Sequence, residues 1–230
     1  MKTLATVHRA VIRCETCARL RAHCQRVAQE KKAAYRNETY WARPVPGFGD
    51  PRARLLLLGL APAAHGANRT GRMFTGDGSG GSGDFLMRAM YAAGFVNKPT
   101  SERANDGLVL SDAYVLAAVR CAPPDNKPTR DEILHCHRHL EAEIGVLQNL
   151  QVVVALGRLA SEAYWRLLAG WGVQVRPRPP FAHGDIRRPE QSDLPILVES
   201  YHPSRQNTQT GKLTPSMLDD VFRTARNLLW

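Results

Sequence analysis

Between Leu55 and Gly83 the chain reads LLLLGLAPAAHGANRTGRMFTGDGSGGSG, and no other stretch limits the fold so tightly. Four consecutive leucines, Leu55 to Leu58, carry no polar alternation, as expected of a strand covered on both faces, the condition of a parallel sheet between helical layers. The run stops at Gly59 and passes into roughly twenty aperiodic residues, a length uncommon in a compact domain unless the loop binds or reacts. A hydrophobic segment resumes at Asp84. Eight glycines between positions 59 and 83 allow a ligand close approach to backbone N–H groups. No Gly-Lys-Ser/Thr follows the strand and no GxGxxG opens a helix directly off it, so neither common nucleotide-binding loop is present. Composition alone also suits a solvated surface loop.

The remainder alternates in the same way. Strands are expected over Ala53–Leu60, Asp112–Val119, Val152–Leu156 and Pro195–Ser200. Helices are expected from Thr3 to about Ala34, from Asp84 to Ala93, from Thr129 to about Leu147, from Gly157 through Leu168, and from near Thr214. Thr129 with Glu132 three residues later forms a capping box. The polar segments Gly94–Gly107 and Trp171–Asp193 read as exposed and irregular. In Tyr35–Pro51, prolines and glycines forbid regular structure, and the aromatics suit core plugs or base-stacking surfaces equally. Strands alternating with helices predict an α/β fold, a three-layer αβα sandwich on a central four-stranded parallel sheet, built as one domain over residues 1–230.

A formal net charge of +10 on 230 residues is compatible with a polyanionic partner, although charge alone does not choose nucleic acid. The longest apolar runs are strand-sized and the N-terminus is polar and mixed, which predicts a soluble, intracellular protein. Five cysteines in such a compartment stay reduced. Cys14 and Cys17 form a CxxC, and Cys121 and Cys136 lie far downstream. Four thiolates suit zinc or an iron-sulfur cluster, and spacing leaves the choice open. Cys24 reads as a small buried hydrophobe.

Three strands end in loops bearing polar side chains that can converge: Asp77 in the first, Asn126 in the second, His202 in the fourth. A carboxylate, an amide and an imidazole suit activation of water and stabilisation of an anionic leaving group. Each has an ordinary reading too, as turn former, cap or buried histidine; the shared position at strand ends favours the chemical one.

GLAPAAHGANRTGRMFTGDGSG and YHPSRQNTQTG resemble the two signature segments of the uracil-DNA glycosylase superfamily, in its iron-sulfur type B branch, family 5. YWARPVPGFGDP, AAVRCAPPDNKPT and VVVALGR support the match, which spans nearly the whole chain. The resemblance implies a DNA-repair glycosylase that hydrolyses the N-glycosidic bond of a deaminated base, uracil and also hypoxanthine or xanthine, and leaves an abasic site. It gives Asp77, Asn126 and His202 catalytic positions, and Gly59, Ala61, Ala63, Phe74 and His202 contact with the base, Phe74 by stacking. It makes Cys14, Cys17, Cys121 and Cys136 the ligands of a 4Fe-4S cluster, a structural tie between the N-terminal helix and the segment after strand two. Ala117 stands where type A relatives carry asparagine, as in type B, which goes with a roomier pocket. Ala63 stands where close relatives read glycine.

With no lysine in either signature loop except Lys212, water is the expected nucleophile, without a Schiff-base step. The base must leave the duplex stack to be reached. The loop Arg205-Gln206-Asn207-Thr208-Gln209-Thr210 is then expected in the minor groove, with Arg43, Arg69, Arg72, Arg120 and Arg205 on phosphates. Expected partners are damaged duplex DNA and also single strands, acted on in the cytoplasm at the nucleoid by a monomer. Two other classes fit parts of the pattern: a non-catalytic metal-cluster DNA-binding protein, and a nuclease holding a metal on Asp77 and His202.

Overall fold

The Leu55–Leu58 run forms the strand expected of it, with every residue buried. The computed structural model describes residues 3–76, 78, 80–173, 178–191 and 193–229. In chain order the elements are α1 (Leu4–Ile12), α2 (Ala18–Glu30), β1 (Phe48–Gly49), β2 (Leu55–Gly59), α3 (Ala67–Thr70), α4 (Ser82–Ala92), β3 (Ala113–Ala117) and α5 (Arg130–Ile144). They continue with β4 (Val152–Leu156), α6 (Arg158–Gly170), β5 (Ile186–Arg187), β6 (Ile196–Ser200), α7 (Arg205–Gln209) and α8 (Pro215–Asn227). Among the described residues no helix is long and apolar enough to cross a membrane.

The sheet order is β1-β3-β2-β4-β6-β5. Its four central strands run parallel, as expected, with Leu57 opposite both Val115 and Val154, and Val154 opposite Val198. Two edge strands of two residues each, β1 and β5, add antiparallel pairing that apolar patterning is too short to reveal. Alternate residues along each central strand feed two separate cores. Leu55, Leu57, Val115, Val154 and Val198 meet Leu86, Met90, Leu218 and Phe222 of α4 and α8. Leu56, Leu58, Leu116, Val153 and Leu197 meet Leu140, Ile144, Ala160, Tyr164 and Leu168 of α5 and α6. Two apolar faces, each covered by helices, make the three-layer sandwich.

Three expectations need correction. The N-terminal helix is two helices, because Arg13–Cys17 leaves helical geometry around the CxxC; its Cys14 and Thr16 face Arg138 of α5. Local helix propensity is overridden there by tertiary partners. The 94–107 segment is not merely exposed. Ser101 is buried in it, and the carboxylate of half-buried Asp106, its side chain 8% exposed, accepts N–H bonds from Glu102, Arg103 and Leu108. The 204–212 loop contains the helical turn α7, capped by the Ser204 hydroxyl, which accepts from the Asn207 N–H. The Thr129–Glu132 capping box on α5 forms as read.

A buried polar knot fastens the helical layer to the end of β3. Arg120 lies one residue before Cys121, and its Nη1 is 2.6 Å from Glu143 Oε2 on α5, with neither side chain reaching solvent. Glu143 Oε1 accepts from the Tyr114 hydroxyl at 2.6 Å and the Gly47 N–H at 2.9 Å, and His8 Nε2 of α1 lies 3.0 Å away. Burial opposes the charge on Glu143, but Arg120 with the His8 and Tyr114 hydrogen bonds outweighs it and holds the carboxyl down to about 2. A depressed carboxyl contributes stability that is complete above its unfolded pKa of 4.5 and is lost as the pH falls toward about 2. Glu143→Ala, which leaves Arg120 buried without a counter-charge, is expected to lower unfolding stability by about 3–5 kcal/mol in urea titrations at pH 7. The difference from the parent should shrink as the titration is repeated below pH 4.5.

Candidate active site

Gly59, Ala117, Leu156 and Ser200 end the four central strands at one edge of the sheet. Loops leaving that edge enclose a cavity of about 700 Å³. Leu60, Ala61, Pro62 and Ala63 give it an apolar wall, Phe74 and Gly76 come from the glycine-rich loop, Asn126 from the turn after β3, and His202 and Gln206 from the loop after β6. The strand ends thus bring Asn126, His202, Phe74, Ala61 and Ala63 around one space. Asp77 lies outside the described residues. Its neighbours Gly76 and Gly78 are described, and Gly76 lines the cavity.

Phe74 is placed by two glycines. A Cβ on Gly59 would stand 3.0 Å from Phe74 Cζ, so the ring lies against the end of β2. A Cβ on Gly83 would stand 2.3 Å from the Phe74 carbonyl oxygen, so α4 packs directly on the backbone of Phe74, itself at φ +50°. The Phe74 ring faces the imidazole of His202 with centroids 5.9 Å apart. His202 is held in turn through its carbonyl, which accepts from the Ser204 N–H and from the Asn207 side-chain amide, both at 2.8 Å. Burial pushes the His202 imidazole down to about 4, so it is neutral at physiological pH. Asp125 and Asn126 both adopt positive φ in a 3-10 turn, presenting consecutive polar side chains at the cavity.

The arginines divide. Arg69 is buried: Nε donates to the His65 carbonyl, Nη2 to the Gly76 carbonyl at 2.7 Å, and Nη1 pairs with Glu38. Arg72 is buried against Asp106, also donating to Thr75, Ser101 and the Ala104 carbonyl. Arg120 is buried on Glu143. These three guanidiniums face inward and hold loops in place, whereas Arg43 and Arg205 are exposed. In the 205–210 segment Asn207 and Thr208 are turned into local hydrogen bonds, while Arg205 and Gln206 line the cavity. Three further lining residues, Lys32, Tyr35 and His65, were not marked by the sequence as site residues. Tyr35 stood in the loop whose aromatics could be read either way; nothing signalled Lys32.

The cysteines gather beside this site. Cys24, Cys121 and Cys136 share a small buried cluster with Leu20, Val119 and Ala122, against which Cys17 and the cavity-wall residues Ala61 and Ala64 pack. Cys14 lies 3.4 Å from Arg138 Nη2, two residues beyond Cys136. The Arg120 N–H donates to Cys136 Sγ at 3.2 Å. Burial pushes the Cys136 thiol up to about 11, and the Cys24 thiol with burial pushes Cys121 higher still. Among the described residues no three His, Cys, Asp or Glu side chains stand close enough to hold a single metal ion. Cys14 and Cys17 from the turn between α1 and α2, Cys121 from the turn after β3 and Cys136 from α5, with N–H and guanidinium donors at the sulfurs of Cys136 and Cys14, suit a polynuclear thiolate-bound group, which spaces its ligands more widely than one ion does.

Residues 46–226 match the family model described as the uracil DNA glycosylase superfamily. The chain belongs to that superfamily. A Type-5 uracil-DNA glycosylase from Thermus thermophilus is 50% identical over 220 residues, covering 94% of this chain and 93% of its own. Its namesake from Mycobacterium tuberculosis is 49% identical over 216 residues, covering 94% and 78%. One from Pyrobaculum aerophilum is 39% identical over 215 residues, covering 94% and 88%. For a uracil DNA glycosylase superfamily cavity, the electrostatic feature open to measurement is the neutral His202. In NMR titrations of the ring protons its midpoint is expected at about 4, against an ordinary 6.5; a midpoint above 6 would contradict the packing around it.

Proposed function

We propose that this protein is a monofunctional DNA glycosylase that hydrolyses the N-glycosidic bond of uracil, and of hypoxanthine and xanthine, in DNA. The observation that carries the reading is the cavity in which Phe74, Asn126 and His202 meet at the carboxyl edge of the sheet. A base turned out of the duplex stacks on Phe74 and fills the apolar wall of Leu60, Ala61, Pro62 and Ala63. Small side chains on that wall leave room for purine as well as pyrimidine rings.

Bond breaking puts positive charge on the sugar and negative charge on the departing base. Asp77 serves the sugar: its carboxylate steadies the oxocarbenium ion and orients a water for attack. Asn126 holds the water or the base edge from the turn after β3. His202 serves the base. A neutral imidazole donates an N–H to the base oxygen as charge builds there, and does so without a prior proton uptake at pH 7.

Cys14, Cys17, Cys121 and Cys136 would hold a 4Fe-4S cluster. Hydrolysis transfers no electrons, so its contribution is structural: a cross-link between the α1–α2 region and the turn carrying Asn126. Cys24 packs in the same cluster and donates toward the Ala122 carbonyl at 3.6 Å, a spacer rather than a ligand.

Duplex oligonucleotides carrying one uracil, hypoxanthine or xanthine, incubated in EDTA and then treated with hot alkali, are expected to break only after the alkali. Asp77→Asn should lower the single-turnover rate by at least ~100-fold, the scale of a positioned acid–base group. Breaks before alkali, or loss of activity in EDTA, would reject a monofunctional, metal-independent glycosylase. The purified protein is also expected to be brown, absorbing at ~400 nm as thiolate-bound iron-sulfur clusters do; colourless protein with stoichiometric zinc would reject the cluster.

A further inference from the structure

The cavity has two kinds of wall. The apolar wall suits a base, but another part of the lining is Lys32 and Tyr35, from the turn that follows α2 and outside both signature segments. We propose that Lys32 and Tyr35, together with Arg205, form a binding site for the DNA sugar-phosphate backbone beside the extruded nucleotide. The proposal rests on the glycosylase reading above, since only a flipped nucleotide leaves its phosphates at this mouth.

Tyr35 is fixed in place. The Arg69 guanidinium lies 3.8 Å from the Tyr35 ring centroid, and the same guanidinium is tied to Glu38 and to the Gly76 carbonyl. The Tyr40 hydroxyl adds a second tie, 3.0 Å from His65 Nδ1. The segment after α2 is therefore pinned to the glycine-rich loop, and its tyrosine keeps a set position. A Cβ on Gly78 would stand 3.7 Å from both Tyr35 Oη and Arg205 Nη2, so these two groups flank the same exposed backbone position from different parts of the chain.

Lys32 is exposed at the same lining, and among the described residues no carboxylate pairs with it. The neighbouring Lys31 uses its ammonium on the Arg36 carbonyl at 3.2 Å. Among the described lining residues the single carboxylate is Asp125, on the Asn126 turn. An ammonium, a guanidinium and a phenol O–H around one opening are donors for phosphate oxygens, while the base occupies the apolar interior. Such contacts set affinity and register without reading sequence.

The test uses the full chain and a labelled duplex bearing a non-cleavable abasic analogue, with binding measured across a salt series and single-turnover excision measured on a uracil duplex. Lys32→Ala is expected to weaken binding several-fold at low salt and to reduce the slope of log K against log salt by about one. The loss should fall more on the protein concentration needed for half-maximal excision than on the single-turnover rate, and Lys32→Arg should restore both affinity and slope. Tyr35→Phe should weaken binding with the slope unchanged, because a neutral donor releases no counterion. Parent-like affinity and slope in Lys32→Ala would overturn the proposal. So would a lost single-turnover rate with binding intact, which would mark Lys32 as acting on the reaction. A parent that binds the duplex and releases no uracil would defeat the glycosylase reading, while the salt slopes would still decide what Lys32 contacts.

Discussion

A loop of irregular backbone at the end of a sheet must find donors for its carbonyls outside any ladder, and here two buried arginines supply several of them. Arg69 and Arg72 sit three residues apart on either side of Gly71, and between them engage the carbonyls of His65, Gly76 and Ala104 and the hydroxyls of Thr75 and Ser101. Each is neutralised by a carboxylate from elsewhere, Glu38 or Asp106. Backbone N–H groups of three further residues and Arg72 hold Asp106 well below the ordinary carboxylate range, although burial alone would raise it. A charge this well satisfied repays its desolvation only because every lone pair is used. Phe74 and Gly76 therefore inherit their positions from residues that never touch the cavity's contents.

The same logic joins the cavity to the cysteines. Ala61 and Ala64 are lining residues, and both also pack against the cluster of Leu20, Val119 and the thiols. Behind that cluster, the Arg120 N–H reaches Cys136 while its guanidinium is locked on Glu143. Thiols, ion pair and pocket wall form one contiguous solid, so a group bound by the cysteines would stiffen the wall from behind. It would also fix α2, whose C-terminal end leads into Lys32 and Tyr35.

How much of this is legible in the sequence depends on what each residue advertises. Four apolar runs of strand length announced the parallel sheet, because burial on both faces leaves no alternation to misread. The edge strands Phe48–Gly49 and Ile186–Arg187 could not be read, since two residues have no period. Of the convergence read for Asp77, Asn126 and His202, the meeting of Asn126 and His202 was readable from position, as each follows the end of a strand in one sheet; Asp77 lies outside the described residues, and the place of Phe74 came from the resemblance. Burial of charge was not. Arg69 and Arg72 have the composition of phosphate contacts, and only the distant Glu38 and Asp106 turn them inward; such pairings are long-range and carry no local pattern. Conversely, Lys32 reads as an ordinary helix-end lysine until the chain folds it against the pocket. The CxxC break in the N-terminal helix belongs to the same class, because Ala and Arg around it favour helix and the turn is imposed by Arg138 and the neighbouring thiols.

Neutrality of His202 suits the apolar part of the lining, Leu60 to Ala63, which offers an imidazolium no counter-charge. An imidazolium beside the leaving base would be the stronger donor, but it would need a counter-charge or water to survive in an apolar wall, and either would occupy space that the base needs. The ring lies against Phe74 instead, and burial keeps the imidazole neutral, a weaker donor than the imidazolium. The loss is offset by geometry. His202 is fixed through its own carbonyl by Ser204 and Asn207, so in the glycosylase reading proposed above its ring would need little reorganisation as charge developed on the base. The small residues of the wall are therefore not an absence of chemistry. They surround the imidazole with apolar surface, and in the proposed reaction that surface would strengthen a hydrogen bond from the ring to the base.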